Sequence, residues 1–209
     1  MLGRPTKVAN DANCFAMSEA ADGSGRGERV VFGIILGTGV GGGIVVEGRV
    51  LSGRQAIAGE WGHNPLPWPQ PDELPGPRCY CGRRGCIECF LSGPGLARDY
   101  QAYSQESLDA EEITRRADAG EPGAMACMAR FEHRLARGLA HVINILDPDV
   151  IVLGGGLSKI PRLYDRVPSL WGEFVFSDRV DTPLRPPEHG DSSGVRGAAW
   201  LWPLKRGQI

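Results

Sequence analysis

An α/β fold is predicted by three features of this 209-residue sequence. Nearly continuous apolar runs, typical of buried strands, occur in VVFGIIL (30–36) and in VIVLGGGLS (150–158). A long helical pattern lies between them at 122–146, where apolar residues recur every three or four positions. Helices that alternate with buried strands are typical of α/β proteins.

The first half of the chain begins with a predicted helix at 10–21. Asn10 is suited to an N-cap, and the residues after it are good helix formers. The buried strand at 30–36 follows. After a glycine-rich stretch, 43–46 and 49–52 are predicted to pair as a hairpin.

The second half is predicted to be mainly helical. Residues 92–120 have helical character, and 122–146 has the strongest pattern in the chain. After the strand at 150–158 we expect a helix around 160–171, a strand at EFVF (173–176) and the closing segment GVRGAAWLW.

Composition and charge limit the class of protein. Hydrophobic residues make up 42% of the chain and the net charge is −2, so the chain is ordinary for a globular protein and offers no basic surface for nucleic acid. The N-terminus lacks the apolar region of a signal peptide, and no apolar run is long enough to span a membrane. We therefore expect a cytoplasmic protein with reduced cysteines and neither nucleic-acid nor membrane partners.

Three of the six cysteines fall within CYCGRRGC (79–86). The preceding stretch, 65–77, carries six prolines and is expected to be irregular. Structural zinc takes four ligands, commonly three cysteines and one histidine. The pattern predicts one zinc ion bound by His63, Cys79, Cys81 and Cys86. A metal-free thiol cluster is the alternative, and the remaining cysteines, Cys14, Cys89 and Cys127, are expected to be small core residues.

The glycine-rich stretch LGTGVGGG occupies 36–43. Such loops let backbone N–H groups approach a phosphate closely. The residues that follow are strand-like, so the stretch does not fit a dinucleotide fingerprint, and it lacks the Lys-Ser/Thr that ends a P-loop. A hairpin tip that cradles phosphates and a tight turn without a ligand both remain open.

Carboxylates lie beside small polar groups at two places in the sequence. Asn10 and Asp11 stand at a predicted helix start, where a carboxylate is most often a cap. Glu60 precedes the cysteine segment and Glu88 follows it. Taken alone, Glu60 and Glu88 are expected to be solvated charges.

Together these stretches resemble the ROK family (repressors, open reading frames and sugar kinases). The residues that carry the resemblance are VANDAN (8–13), LGTGVGGG (36–43), GEWGH (59–63), CYCGRRGCIE (79–88) and DPDVIVLGGG (147–156). Within the family, GEWGHNPLPW (59–68) and HGDSSGVRGAAWLWP (189–203) look like the bacterial fructokinases, and N-acetylglucosamine kinases come next.

The resemblance implies an actin-like ATPase fold, which is ribonuclease H-like, and an ATP-dependent kinase of the 6-hydroxyl of D-fructose that uses Mg²⁺ and forms a homodimer. The alternatives are an N-acetylglucosamine or glucose kinase and a sugar-sensing ROK repressor. Residues 28–193 would form the C-terminal lobe with the zinc-binding loop 63–88. Residues 1–27 and 194–209 would be a remnant of the N-terminal lobe and hinge. The family's Asp-x-Gly-Gly-Thr-Lys loop is missing from this sequence, so we expect impaired catalysis.

The resemblance also implies a role for each candidate residue. Asp11 would be the general base, and Asn10 would hold a neighbouring sugar hydroxyl. Glu60, His63 and Glu88 would complete the sugar site beside the structural zinc. The nucleotide would bind at Gly37, Thr38, Gly39, Gly41, Gly42, Gly43, Gly154, Gly155 and Gly156.

Overall fold

A five-stranded mixed sheet lies at the centre of the computed structural model, which describes residues 3 and 5–202. The helices are α1 (Asp11–Asp22), α2 (Ile87–Leu91), α3 (Gly93–Ser104), α4 (Ala110–Asp118), α5 (Pro122–Leu146), α6 (Leu163–Trp171) and α7 (Ser193–Trp200). The strands are β1 (Val30–Leu36), β2 (Val40–Val46), β3 (Arg49–Val50), β4 (Val150–Gly154) and β5 (Leu184–Arg185). Their order across the sheet is β3-β2-β1-β4-β5.

Local hairpins and one long crossover build this sheet. β1 and β2 are antiparallel, and Leu36 lies opposite Val40 at the turn between them. β1 and β4 are parallel, with Val31 opposite Val150. Parallel strands need a long connection, and here it contains α2 to α5.

Alternate side chains of β1 belong to two different cores. Val31 packs with Phe15 and Ala16 of α1 on one face of the sheet. Phe32, Ile34 and Leu36 lie in the larger core on the opposite face, which also contains the buried side chains of α5. The period of two along a strand explains why one apolar run serves both faces.

Most predicted elements are confirmed, and one strand is wrong. β1 and α5 have the predicted bounds, whereas β2 begins at Val40, earlier than expected. Residues 173–176 form turns, because the Asn144 side chain donates to Phe174 O and accepts from Phe176 N, both at 2.8 Å. These bonds occupy backbone groups that a strand would pair, and the outer strand is instead β5.

The predicted terminal segments contact each other through α1 and α7. A Cβ on Gly197 would lie 1.6 Å from Cys14 O, so the two helices cross too closely for any side chain there. Ser193 Oγ donates to the buried Glu19 carboxylate at 2.7 Å. Residues 1, 2, 4 and 203–209 of the predicted segments lie outside the described part of the chain. The division into 28–193 and the two terminal segments remains a prediction.

None of the helices in the described part of the chain combines the length and apolar character that a membrane span requires. α5 is the longest of them at 25 residues. It carries two buried arginines, Arg134 and Arg137.

These arginines hold the proline-rich segment. Glu73 lies in a short 3₁₀ turn at 71–73, and its Oε1 accepts from Arg134 at 2.8 Å and from Arg137 at 2.6 Å. Arg137 also donates to Trp68 O. Glu73 and both arginines are buried, so these bonds anchor a segment without regular structure to α5.

We expect Glu73→Gln to destabilise the fold by about 3 kcal/mol, because breaking a buried ion pair leaves an uncompensated charge. The measurement is the free energy of unfolding in urea. Glu47→Gln is the matched control, because Glu47 pairs with Arg29 on the surface, where both side chains are more than half exposed. A surface pair contributes little, so the control should change stability by less than about 1 kcal/mol.

The same variant also tests a dependence on pH. Burial by itself would raise the pKa of Glu73, but hydrogen bonds from Arg137 and Arg134 outweigh it and hold the pKa below its ordinary value. The stabilisation is therefore present above the unfolded pKa of about 4.3 and is lost as the pH falls through the lowered folded pKa. Equal losses for the native chain and Glu73→Gln on acidification would contradict this account.

Candidate active site and metal centre

The four predicted metal ligands converge in the structure. His63 Nδ1 lies 3.5 Å from Cys79 Sγ, and Cys81 Sγ lies 3.6 Å from Cys86 Sγ. All four ligand atoms lie within 4.8 Å of one another. A tetrahedral zinc ion with ordinary bond lengths requires ligand separations of about 3.5–3.8 Å. The two pairs given above match this separation, and the cluster could hold one such ion if the remaining pairs, all within 4.8 Å, moved slightly closer.

Backbone bonds shape the cysteine segment. Cys79 N donates to Arg83 O at 2.8 Å, and Leu66 N donates to Gly85 O at 2.9 Å, which folds the segment back on the residues after His63. Gly85 has φ +69°, a conformation that side chains rarely adopt. The glycine is therefore what allows the chain to turn just before Cys86.

The thiols of the cluster have different acidities. A backbone hydrogen bond from Arg83 lowers the pKa of Cys81 to about 7, while burial raises the pKa of Cys86 to about 12. A bound divalent cation supplies the positive charge that a buried thiolate needs. Cys14, Cys89 and Cys127 are also buried but lie outside the four-residue cluster, which confirms their prediction as core residues.

Asn10 joins the start of α1 to Glu60. Its Oδ1 accepts from Ala12 N at 2.8 Å, so it is the N-cap of α1, and its Nδ2 donates to Glu60 Oε1 at 3.4 Å. Asp11 follows directly and is exposed. The predicted sugar-binding amide, the predicted base and one predicted carboxylate are therefore neighbours.

The segment GEWGH is fixed against β2. Trp61 is buried, and its Nε1 donates to Gly41 O at 3.0 Å. A Cβ on Gly62 would lie 2.2 Å from Val40 O, so only glycine fits between Trp61 and His63. This packing holds Glu60 beside α1 and directs His63 to the cysteines.

Glu88 connects the cluster of His63 and three cysteines to the glycine hairpin. It lies on α2, two residues after Cys86, and its Oε2 accepts from Val40 N at 2.9 Å. A Cβ on Gly39 would lie 2.8 Å from that same oxygen. The hairpin tip therefore rests directly on Glu88.

The other side of the tip faces a cavity of about 1140 Å³. Its wall includes Gly37, Thr38 and Gly156, three of the residues predicted to bind the nucleotide, together with Lys159 and Arg115. Drug-sized ligands occupy pockets of about 300–1,000 Å³, so a nucleotide fits this volume. Lys159 and Arg115 were not predicted, because nothing in the sequence distinguishes them from surface charges.

The remaining predicted nucleotide glycines in β2 and at the end of β4 lie where another part of the chain packs closely against the sheet. Gly42 and Gly43 lie within β2, and a Cβ on them would meet Gly59 O at 2.6 Å and Ala12 O at 2.5 Å. Gly41 is also in β2, and Gly154 and Gly155 lie at the end of β4 against Phe15 and Leu36. Here glycine brings α1 and the 59–63 segment close to the sheet.

Tyr80 is a site residue that the sequence did not predict. Its hydroxyl lies 2.8 Å from His63 Nε2, on the opposite side of the imidazole from the thiols. The residue occupies the variable position of Cys-x-Cys, where a search for ligand types finds nothing. The sequence feature that could have indicated Tyr80 is an aromatic residue between two predicted ligands, Cys79 and Cys81.

Comparison with known proteins identifies the class. The sequence profile of the ROK family matches residues 1–205, so the chain belongs to the ROK family. The chain is 42% identical over 205 residues to the N-acetyl-D-glucosamine kinase of Yersinia enterocolitica serotype O:8 / biotype 1B, which covers 96% of this chain and 68% of that protein.

Two solved structures have the same architecture. The ROK hexokinase from Thermus thermophilus has a TM-score of 0.85 at 34% identity, covering 95% of this chain and 65% of that one. The ROK family glucokinase from Streptomyces griseus, in complex with glucose and AMPPNP, has a TM-score of 0.82 at 29% identity, covering 96% and 69%. The predicted actin-like ATPase fold is confirmed, and the chain spans about two thirds of the length of these relatives.

None of these three relatives is named as a fructokinase. The resemblance to fructokinases had favoured fructose, whereas the relatives above are an N-acetylglucosamine kinase, a hexokinase and a glucokinase. They agree with the alternative that the sequence had left open. Fructose as the substrate has no support from them.

Proposed function

We propose that this chain carries the sugar and nucleotide contacts of an ATP-dependent hexose kinase, with N-acetylglucosamine as the first candidate substrate and D-fructose as the second. The observation that supports this most is the position of the glycine hairpin tip. Gly39 rests on Glu88, one of the predicted sugar contacts, while Gly37 and Thr38 line the large cavity. A phosphoryl group moving from the cavity to the sugar would pass this tip.

The roles of the residues follow from this arrangement. The 6-hydroxyl oxygen of the sugar forms a bond to the γ-phosphorus of ATP, the bond from that phosphorus to ADP breaks, and Asp11 accepts the hydroxyl proton. Asn10, Glu60, His63 and Glu88 would orient the sugar, since amide, carboxylate and imidazole groups match hydroxyl donors and acceptors. Such transfer depends mainly on positioning and charge stabilisation, and Mg²⁺ would supply the latter.

Zinc would have a structural role in this proposal. His63, Cys79, Cys81 and Cys86 would fill all four positions of a tetrahedral ion, which leaves none for an activated water. Bound there, the ion would fix His63 and, through Cys86, the start of α2 with Glu88. The sugar contacts would then be held in place although 65–77 has little regular structure.

A panel of four sugars tests the substrate. ADP release from MgATP is measured with N-acetylglucosamine, glucose, fructose and mannose, with a sugar-free control for ATP hydrolysis. We expect kcat/KM to be highest for N-acetylglucosamine. A higher value for fructose would exchange the two candidates. Sugar binding without turnover of any sugar would contradict kinase activity for this chain and leave it a sugar-binding role.

A further inference from the structure

The Tyr80 hydroxyl lies within hydrogen-bonding distance of Nε2, the nitrogen of His63 that faces away from the thiols. The hydroxyl oxygen lies 2.8 Å from Nε2, while Nδ1 faces Cys79 Sγ at 3.5 Å. The two rings meet edge to face, with centroids 5.0 Å apart and an interplanar angle of 86°. One nitrogen of the imidazole therefore faces the thiols, and the other faces a tyrosine of the same loop.

The Tyr80 side chain is poorly anchored, because it is 83% exposed. Its hydroxyl lies beside His63, which is one of the residues proposed to contact the sugar. The phenol hydroxyl therefore stands next to a group that would receive a carbohydrate.

A phenol hydroxyl and a sugar hydroxyl share the same hydrogen-bonding chemistry, since each donates one bond and accepts others. Nε2 makes a single hydrogen bond in the plane of the imidazole, so it can bind the phenol hydroxyl or a sugar hydroxyl but not both. Because Nδ1 faces the Cys79 thiol, Nε2 is the ring nitrogen left for a sugar. In this structure the Tyr80 hydroxyl already lies at Nε2.

We propose that Tyr80 makes the site less selective for one sugar hydroxyl, because that hydroxyl must displace the Tyr80 hydroxyl from His63 Nε2. The inference rests on the proposed function. A hexose that presents a hydroxyl to Nε2 exchanges one hydrogen bond for another and gains little from it. A sugar analogue that lacks this hydroxyl leaves Tyr80 in place and loses little.

Tyr80→Phe tests the inference because it keeps the ring contact with His63 and deletes the hydroxyl. The measurement is the calorimetric Kd of N-acetylglucosamine, with zinc content and unfolding temperature recorded for each protein. Removing one competing neutral hydrogen bond should lower the Kd by about threefold to tenfold. Tyr103→Phe is the matched control, since Tyr103 is also largely exposed but lies on α3 beside Arg130, and its Kd should be unchanged.

A series of deoxy-N-acetylglucosamines completes the test. The gain caused by Tyr80→Phe should disappear for the analogue that lacks the hydroxyl bound by Nε2. An unchanged Kd for Tyr80→Phe would overturn this inference and leave the proposed function intact. A higher Kd would also overturn it, because the Tyr80 hydroxyl would then be a favourable contact to the sugar. If neither protein binds any hexose, the proposed function and this inference both fail.

Discussion

Cys81→Ser is expected to remove the bound zinc and to lower the unfolding temperature more than Glu73→Gln does. Binding of structural zinc in small zinc domains contributes about 10–16 kcal/mol, and this free energy is part of the folding free energy. Cys81 is the best position to test, because it is only partly buried. Loss of its sulfur therefore reports on the metal more than on core packing.

The measurements are zinc content by elemental analysis and the unfolding temperature with and without a chelator. The native chain should lose stability on chelation, and Cys81→Ser should be insensitive to it. Cys127→Ala is the control, because Cys127 is a buried thiol outside the cluster. It should retain zinc and lose only the stability that a small cavity costs. A native chain that contains no stoichiometric zinc would contradict the metal assignment.

The sequence was sufficient for elements whose signal is local. The strand 30–36 and the helix 122–146 have the predicted bounds. Burial requires apolar residues at a regular spacing along each element, and this spacing can be read in the sequence. The convergence of His63 and the three cysteines was predictable for a related reason. Zinc ligands are selected by their chemistry, so three cysteines and a histidine predict a candidate metal site before the path of the chain is known.

Features that depend on distant partners were beyond the sequence. EFVF has the composition of a strand, but Asn144 of α5 binds its backbone and holds it in turns. Glu73 looked like one more charge in a proline-rich segment, and only the fold shows that it meets two arginines about sixty positions along the chain. These contacts join residues that no local pattern relates.

The glycine hairpin shows how one motif can combine two physical causes. Gly37 and Gly39 lie at a tip between the cavity and Glu88. Gly42 and Gly43 lie within β2, where Gly59 and Ala12 approach the strand so closely that a side chain has no room. Gly39, Gly42 and Gly43 all lack room for a Cβ, so the sequence cannot separate the two causes. The structure separates them by what a Cβ would meet.

Asp11→Asn is expected to reduce kcat by about 10²- to 10⁴-fold, the usual contribution of a general base. Asn is close to Asp in shape but cannot accept the hydroxyl proton. Asp11 is exposed beside the N-cap Asn10, so the substitution should leave the fold unchanged. The KM for ATP should also be unchanged, because the cavity wall does not include residue 11.

The measurement is the steady-state rate with the best sugar of the panel at saturating MgATP. Asp178→Asn provides the control, since this exposed carboxylate lies in the turns after α6 and should not alter kcat. If Asp11→Asn retains most of the native kcat, another group must accept the proton. If it instead raises only the KM for the sugar, Asp11 stabilises the bound substrate and the transition state equally and does not act as the general base. Asn10 and Glu60, which lie within hydrogen-bonding distance of each other, would then be left to orient the hydroxyl without a base beside it.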